Sequence, residues 1–371
     1  MARAGLGPGW KCLFSNDIDE KKAISYRKNW VEADAGSAFL CLDVAKLKSA
    51  ELPGHADLAW ASFPCQDLSL AGNGAGLKGE RSGTFWPFWR LVKQLGAEQR
   101  KPRIIVLENV CGALTSHNGA DFRSLIHALQ SENYRAGALV INASYFVPQS
   151  RPRLFIVGVD SSLQIDENLL SDYPASVFHT ESVVRAYKKL SPAAKKQWMW
   201  WNLPAPKEPV QVLADVISDQ SGQWNSQEAT ARLLAMMSPA NLSKVNAAMQ
   251  TGLRVVGAVY KRTRPTEEGT RQQRAEVRFD DLAGCLRTPG GGSSRQTVLI
   301  IKGKSVRSRL ISAREAATLM GLPKSYKLPE RYNDAYHLLG DGVVVPVVRH
   351  LACYLLEPLL KKNAAEPERA A

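Results

Sequence analysis

The chain has 371 residues, 45% of them hydrophobic, and carries 48 Lys and Arg against 35 Asp and Glu, a formal charge of +13. That length supports a sizeable core and more than one domain, and the basic excess is the electrostatic footprint of a polyanion binder, nucleic acid first. Six scattered cysteines without a C-x-x-C pair, no apolar run near the ~18 residues of a membrane span and no secretory leader point to a cytoplasmic protein with reduced thiols and no bound metal.

Over the first 160 residues, short apolar runs alternate with amphipathic stretches. "KCLFSND", "FLCLDV", "DLAWASFPC", "RIIVLENV", "GALVINAS" and "RLFIVGV" read as buried strands, and "EKKAISYRKNW" and "FRSLIHALQSEN" as helices between them. The alternation predicts an α/β fold around a parallel sheet. Ligands of such sheets gather at the carboxyl ends of the strands, where Asp17, Asp43, Cys65 and Glu108 fall.

From about 161 to 300 the rhythm gives way to mixed polar, proline-bearing and basic sequence, the mark of a second domain. Arg254 to Arg309 holds 13 Lys and Arg against 5 Asp and Glu, more than half of the excess charge. "SAREAATLMGLP" then predicts a helix, and "GVVVPVVRHLACYLLEPLL" a long apolar helix with Pro346 in its first turn. "KKNAAEPERAA" reads as a frayed tail.

Cys65 closes a predicted strand, follows Pro64 and precedes a loop with glycines at 72, 74, 76, 79 and 83. A thiol held at a fixed angle beside a pliable loop suits a nucleophile, although a free cysteine packs equally readily as a small core residue. Glu108 ends the next strand, and Arg151 and Arg153 stand at the mouth of a later one. Three charged groups would converge beside one thiol.

"FPCQ", "ENV", "QSRPR", "SRLISAREAATLMGLP" and "GDGVVVPVV" follow one another in the order of the cytosine carbon-5 DNA methyltransferases, and the chain resembles that family outside 161–290. The resemblance implies a Rossmann-like S-adenosylmethionine-dependent methyltransferase fold with a second, smaller target-recognition domain. It implies Cys65 as the nucleophile at cytosine carbon 6, Glu108 as the acid at ring nitrogen 3, Arg153 as donor to the 2-oxo group and Arg151 as a second cationic contact. S-adenosylmethionine would meet Asp17 through its ribose, with Ile18 on the adenine face. Asp43 would take the adenine amino group beside Val44, with Phe63, Pro64 and Asp341 completing the pocket. The bland role for Asp17 and Asp43 is a helix N-cap, and each can do both.

The implied partner is double-stranded DNA. Its base must be extruded, and the glycine-rich loop, with Gln66, Lys78 and Arg81 at the DNA, would close over it. Specificity is expected from "RTRPTEEGTRQQRAEVR" and "GGSSRQT", with Arg295 and Gln296 as contacts unless they belong to a structural turn. Trp198, Trp200 and Trp201 are expected to anchor the small domain. The resemblance divides the chain into a catalytic, cofactor-binding domain over 1–160, a target-recognition domain over 161–329, a C-terminal helix over 330–362 returning to the first, and a disordered tail over 363–371. It further implies a monomer, with a possible cognate restriction endonuclease.

Two departures stand out. The family's first strand and its Phe-x-Gly-x-Gly turn should precede "MARAGLGPGW", and their absence would leave two open strand edges in mid-sheet. "GDG" at 340–342 places Asp341 where many relatives carry asparagine. Two other readings stay open: a truncated, catalytically silent DNA binder, and an RNA cytosine-5 methyltransferase.

Overall fold

The computed structural model describes residues 1–30, 38–64, 84–206, 211–265, 269–288 and 295–363. The chain forms two compact units. One comprises Gly5–Asn142, Pro152–Pro206 and the residues from Val347 onward; the other comprises Met1–Ala4, Ala143–Arg151 and Lys207–Pro346.

In the first unit, β1 (Phe14–Asp17) pairs in parallel with β2 (Ala38–Cys41). A four-stranded sheet has the order β3-β4-β6-β5, from β3 (Leu58–Ser62), β4 (Ile104–Asn109), β5 (Tyr134–Asn142) and β6 (Pro152–Asp160). All six residues of β4 are buried, four of them as the continuous apolar run that a strand between two neighbours requires, followed by Glu108 and Asn109. The expected parallel sheet is corrected to a mixed one, because β6 runs antiparallel to both β4 and β5. Nine residues join β5 to β6, fewer than the dozen or so that a parallel crossover needs. Among the described residues, β1 pairs only with β2 and β3 only with β4, so each keeps an open edge.

Between β1 and β2 the chain forms α1 (Glu20–Trp30). After β3 comes α2 (Phe85–Ala97), whose Phe85, Trp89, Val92 and Leu95 make one buried stripe at helical spacing. Likewise α3 (Ala120–Ser131) buries Phe122, Leu125, Ile126 and Leu129. Residues 161–206, expected in the small domain, cluster with this sheet unit. The amide of Met199 donates to Ala136 O at 2.8 Å and that of Ala136 to Gln197 O at 3.2 Å, so this segment covers the outer edge of β5. Contact there is close enough that a Cβ on Gly137 would lie 1.9 Å from the Met199 carbonyl oxygen. Within this segment, β7 (Leu170–Ser171) pairs antiparallel with β8 (Trp200–Trp201). Trp198, Trp200 and Trp201 are buried as expected of core anchors, but they anchor this unit.

The apolar run Tyr332–Lys361 is long and apolar enough to cross a membrane by composition, contrary to the expectation that no run reaches that length. It is 56% buried within the protein, as a core helix is. Its later part starts at Val345 with Pro346 in the first turn, where the missing N–H costs nothing, and passes through a π-turn at Ala352–Leu356.

The second unit is built on an antiparallel sheet of order β10-β9-β11-β12, from β9 (Arg254–Pro265), β10 (Arg271–Arg278), β11 (Thr297–Lys302) and β12 (Ser305–Leu310). Leu233 of α4 (Gln227–Ala235) and Val245 and Ala248 of α5 (Pro239–Gln250), with Met237 between them, pack against Val259, Ala275, Val277, Leu299 and Ile301. The string "SRLISAREAATLMGLP" supplies β12 and α6 (Ala313–Leu319) and joins them with a buried ion pair. Arg309 Nη1 and Nη2 donate to Glu315 Oε2 and Oε1 at 2.8 and 2.7 Å. Glu315 also closes a capping box with Ser312.

Candidate active site

The site is assembled by strand register. Parallel pairing sets Ser62 of β3 beside Glu108 of β4, so Phe63 and Pro64 leave the sheet next to Asn109. Antiparallel pairing of Asn109 with Leu154 brings Arg153 to the same end of β4. There Arg153 Nε lies 3.4 Å from Glu108 Oε1, with the two side chains 17% and 8% exposed. Arg153 Nη1 donates to Pro152 O at 2.9 Å. A nearly buried carboxylate thus keeps one guanidinium beside it at the rim of the sheet, an arrangement able to donate, accept and balance charge on a polar ring.

Asn109 is a residue that sequence reasoning missed. Its side-chain amide donates to Phe63 O at 3.2 Å, while its Oδ1 accepts from Val110 N at 2.8 Å. It fixes the point where the chain leaves β3. A buried polar residue ending an otherwise apolar strand was the available signal.

Cys65, Gln66, Lys78 and Arg81 lie outside the described residues. Pro64 is exposed, whereas the Phe63 ring packs 5.5 Å from that of Phe85 in the core. That side chain is committed to packing, and Phe63 presents its backbone to the site.

A second cluster stands at the carboxyl ends of β1 and β2. Asn16 Nδ2 donates to Leu40 O at 3.0 Å and Leu42 O at 2.7 Å, tying the two strand ends together. Asp17 Oδ1 accepts from Asp19 N, and Asp43 Oδ1 from Ala45 N, both at 2.9 Å. Asp43 caps a short 3-10 turn, while the cap of α1 is Asp19, whose Oδ1 takes the amides of Lys21 and Lys22. Ile18 is 69% exposed, a large apolar side chain between these carboxylates in sequence, and Val44 is half-buried.

Arg151 requires a correction. Its guanidinium donates to Leu286 O at 2.6 Å and to Gly340 O and Gly342 O at 2.7 Å each, with Cys285 Sγ at 3.3 Å. At 2% exposure it staples carbonyls of the second unit, so it is not a cationic contact beside Arg153. Gln296 is corrected too: it is 6% exposed, packs against Gly284 and donates its backbone N–H to Tyr336 Oη at 2.9 Å, a structural position without open surface. Arg295 lies over the ring of Tyr332 at 5.9 Å. Asp341 is exposed and ends α7 (Tyr332–Asp341) in the second unit.

Comparison with known proteins places this geometry in context. Type II methyltransferase M.HhaI of Haemophilus parahaemolyticus is 25% identical over 346 residues, 93% of this chain and 87% of its own length. M.MspI of Moraxella sp is 22% identical over 361 residues, covering 97% and 68%. M.DsaV of Dactylococcopsis salina is 32% identical over 176 residues, just under half of each chain at 47% and 46%. Among solved structures, a Spodoptera frugiperda DNMT2 mutant superposes with a TM-score of 0.58 at 17% identity, covering 97% of this chain and 95% of its own. The Dnmt2 methyltransferase of S. pombe gives 0.55 at 16% identity, covering 94% and 91%. These two share the fold. The description C-5 cytosine-specific DNA methylase matches residues 2–357, nearly the whole chain, which therefore belongs to that family of S-adenosylmethionine-dependent DNA cytosine-5 methyltransferases.

Proposed function

We propose that the chain methylates carbon 5 of an extruded cytosine in a specific duplex sequence through a transient covalent bond to Cys65. The Glu108–Arg153 pair carries this reading, because it stands where β3 delivers the chain to Pro64 and hence to Cys65.

Carbon 5 of cytosine is a weak nucleophile until something adds at carbon 6. The Cys65 thiolate forms that bond, and the electron pair displaced from the ring moves toward nitrogen 3. Glu108 carries the proton shared with that nitrogen, and Arg153 donates to the 2-oxo group, where negative charge grows. S-adenosylmethionine, when bound, would supply an electrophilic methyl carbon to carbon 5, its methyl–sulfonium bond breaking to leave a neutral thioether. A base then takes the carbon-5 proton, the S–C6 bond breaks, and Cys65 leaves as the thiolate. Extruding the base costs a few kcal/mol of stacking, which DNA contacts offset.

The residues present fit the donor. Ile18 offers an exposed apolar face for the adenine, and Asp17 and Asp43 each use one carboxylate oxygen on a local amide, which leaves the other for a ribose hydroxyl or an amino group. The protein acts as a cytoplasmic monomer on duplex DNA, with a cognate restriction endonuclease as its functional partner. The Type II relatives support that pairing.

The test is transfer of labelled methyl groups to mixed-sequence duplex DNA, with trapping on 5-fluorocytosine duplexes, where the carbon-5 proton step is blocked. Wild type should leave an adduct stable to denaturation, and Cys65→Ser none. Glu108→Gln should lower transfer by about two to four orders of magnitude. Product formed by Cys65→Ser overturns the reading. The open edges of β1 and β3 favour one second reading, a chain that binds DNA without transferring methyl. It requires binding with neither product nor adduct.

A further inference from the structure

We infer that the outer part of the β9–β10 hairpin is a two-stranded ribbon that enters the DNA major groove and reads the target sequence through Arg262, Gln272 and Arg274. This rests on the reading of the chain as a DNA methyltransferase and assigns sequence recognition to one element.

Three observations carry the inference. First, β11 pairs with β9 only over Arg254–Val259, whereas β10 pairs with β9 as far as Pro265. Ala275 of β10 is still bridged to Met237, and beyond it, from Arg262 to Pro265 and from Arg271 to Arg274, the sheet continues as two strands alone. Two strands stand about 4.8 Å apart, and four residues reach roughly 13 Å, so the ribbon fits a major groove about 12 Å wide and spans its depth of about 8.5 Å.

Second, register sorts the side chains. Lys261 faces the same way as Val259, Ala275 and Val277, which pack under α4 and α5. On the opposite face lie Tyr260 with Glu276, Arg262 with Arg274, and Gln272 opposite position 264. Arg262 and Gln272 are exposed and Arg274 is half-exposed. Arginine and glutamine are the side chains that grip guanine and adenine edges with two hydrogen bonds.

Third, Arg262 and Arg274 are direct cross-strand partners. Like charges so placed destabilise a ribbon, and a purely structural hairpin has no use for them. Arg262 is drawn over the Tyr260 ring at 4.6 Å and toward Glu276 Oε2 at 3.7 Å, yet its side chain remains 52% exposed. A nucleic acid laid on this face would relieve the repulsion.

The experiment is selection from a library of 30-base-pair duplexes with a randomised centre, sequencing what the full chain retains. It reads binding and is independent of methyl transfer. Wild type should enrich one motif, and Arg262→Ala, Gln272→Ala and Arg274→Ala should each relax particular positions by about ten-fold in discrimination. Arg262→Lys, which keeps the charge and loses the fork, should relax the same position while the salt dependence of binding stays as in wild type. Enrichment of an unchanged motif by all three alanine variants, a uniform loss of affinity with no change of motif, or no motif with wild type each overturns the inference. An enriched motif without methyl transfer would sink the catalytic reading and leave the ribbon assignment standing.

Discussion

Asn109 holds the carbonyl of Phe63 with its side-chain amide at 3.2 Å, two residues before Cys65. With Asn109 4% exposed, the bond is shielded from water. Removing it as Asn109→Ala strands a buried carbonyl and should cost about 1–3 kcal/mol in urea denaturation. Methyl transfer should fall through kcat, with DNA affinity near wild type. Asn109→Asp keeps the contact to Val110 N but faces a carboxylate oxygen toward a carbonyl, so it should be the worse of the two. Equal behaviour of both variants would argue against a role for the amide.

Arg151 and Arg153 are two residues apart and should fail differently. Arg151→Met leaves the carbonyls of Leu286, Gly340 and Gly342 without their shared donor, and stability should drop by about 3 kcal/mol or more. Arg153→Met should leave the melting temperature nearly unchanged and remove most methyl transfer. Thermal melts and turnover of the two variants side by side test this, and a reversed pattern refutes it.

Arg309 and Glu315 form a pair with side chains 0% and 4% exposed. Burial alone pushes the Glu315 carboxyl up, but hydrogen bonds from Arg309 and from the amides of Ser312 and Ser218 outweigh it and hold the group below its usual value. For such a carboxyl, the stabilisation is present above the unfolded value of 4.5 and is lost as pH falls through the lower folded one. Glu315→Gln should cost about 3–5 kcal/mol at neutral pH, and Arg309→Met with Glu315→Leu should recover much of that. Chemical denaturation of the three forms decides the point.

His179 sits under Trp200 with ring centroids 4.9 Å apart, and burial pushes its imidazole down to about 4 from 6.5. The unfolded chain then binds a proton that the folded chain refuses between those values. Stability should fall as pH drops below 6.5, by up to about 3 kcal/mol by the time pH 4 is reached. In His179→Gln that slope should flatten when denaturation midpoints are followed from pH 7 to 4. An unchanged slope removes His179 from the acid response.

The strands β4, β5 and β6 were legible because burial on both faces writes a nearly uninterrupted apolar run, as in "RIIVLENV", and the helices because their stripes recur every three to four residues. Strand direction was less visible. Residues of β6 look alike whichever way they run, and only the nine-residue connection from β5 betrays the reversal. The Glu108–Arg153 pair was anticipated from strand ends, but Arg151 was given the wrong task, since two arginines flanking one proline carry the same chemistry and only three-dimensional contacts separate them. Asn16 and Asn109 escaped notice because they act on backbone carbonyls, and an amide spent on a carbonyl leaves no pattern in spacing. The tryptophans were rightly read as core, but composition alone does not say which core a segment joins.

Among the described residues β1–β2 stands apart from the four-stranded sheet, and this has a thermodynamic consequence. A lone two-stranded pair is marginal in water, so its amides should exchange with deuterium well before those of β4 and β6. Asp17, Ile18 and Asp43 stand on that softer piece, and any small molecule held there must stiffen it first. Its apparent affinity is lowered by the fraction of time the pair spends frayed, and saturation should appear as slowed exchange confined to residues 14–17 and 38–41.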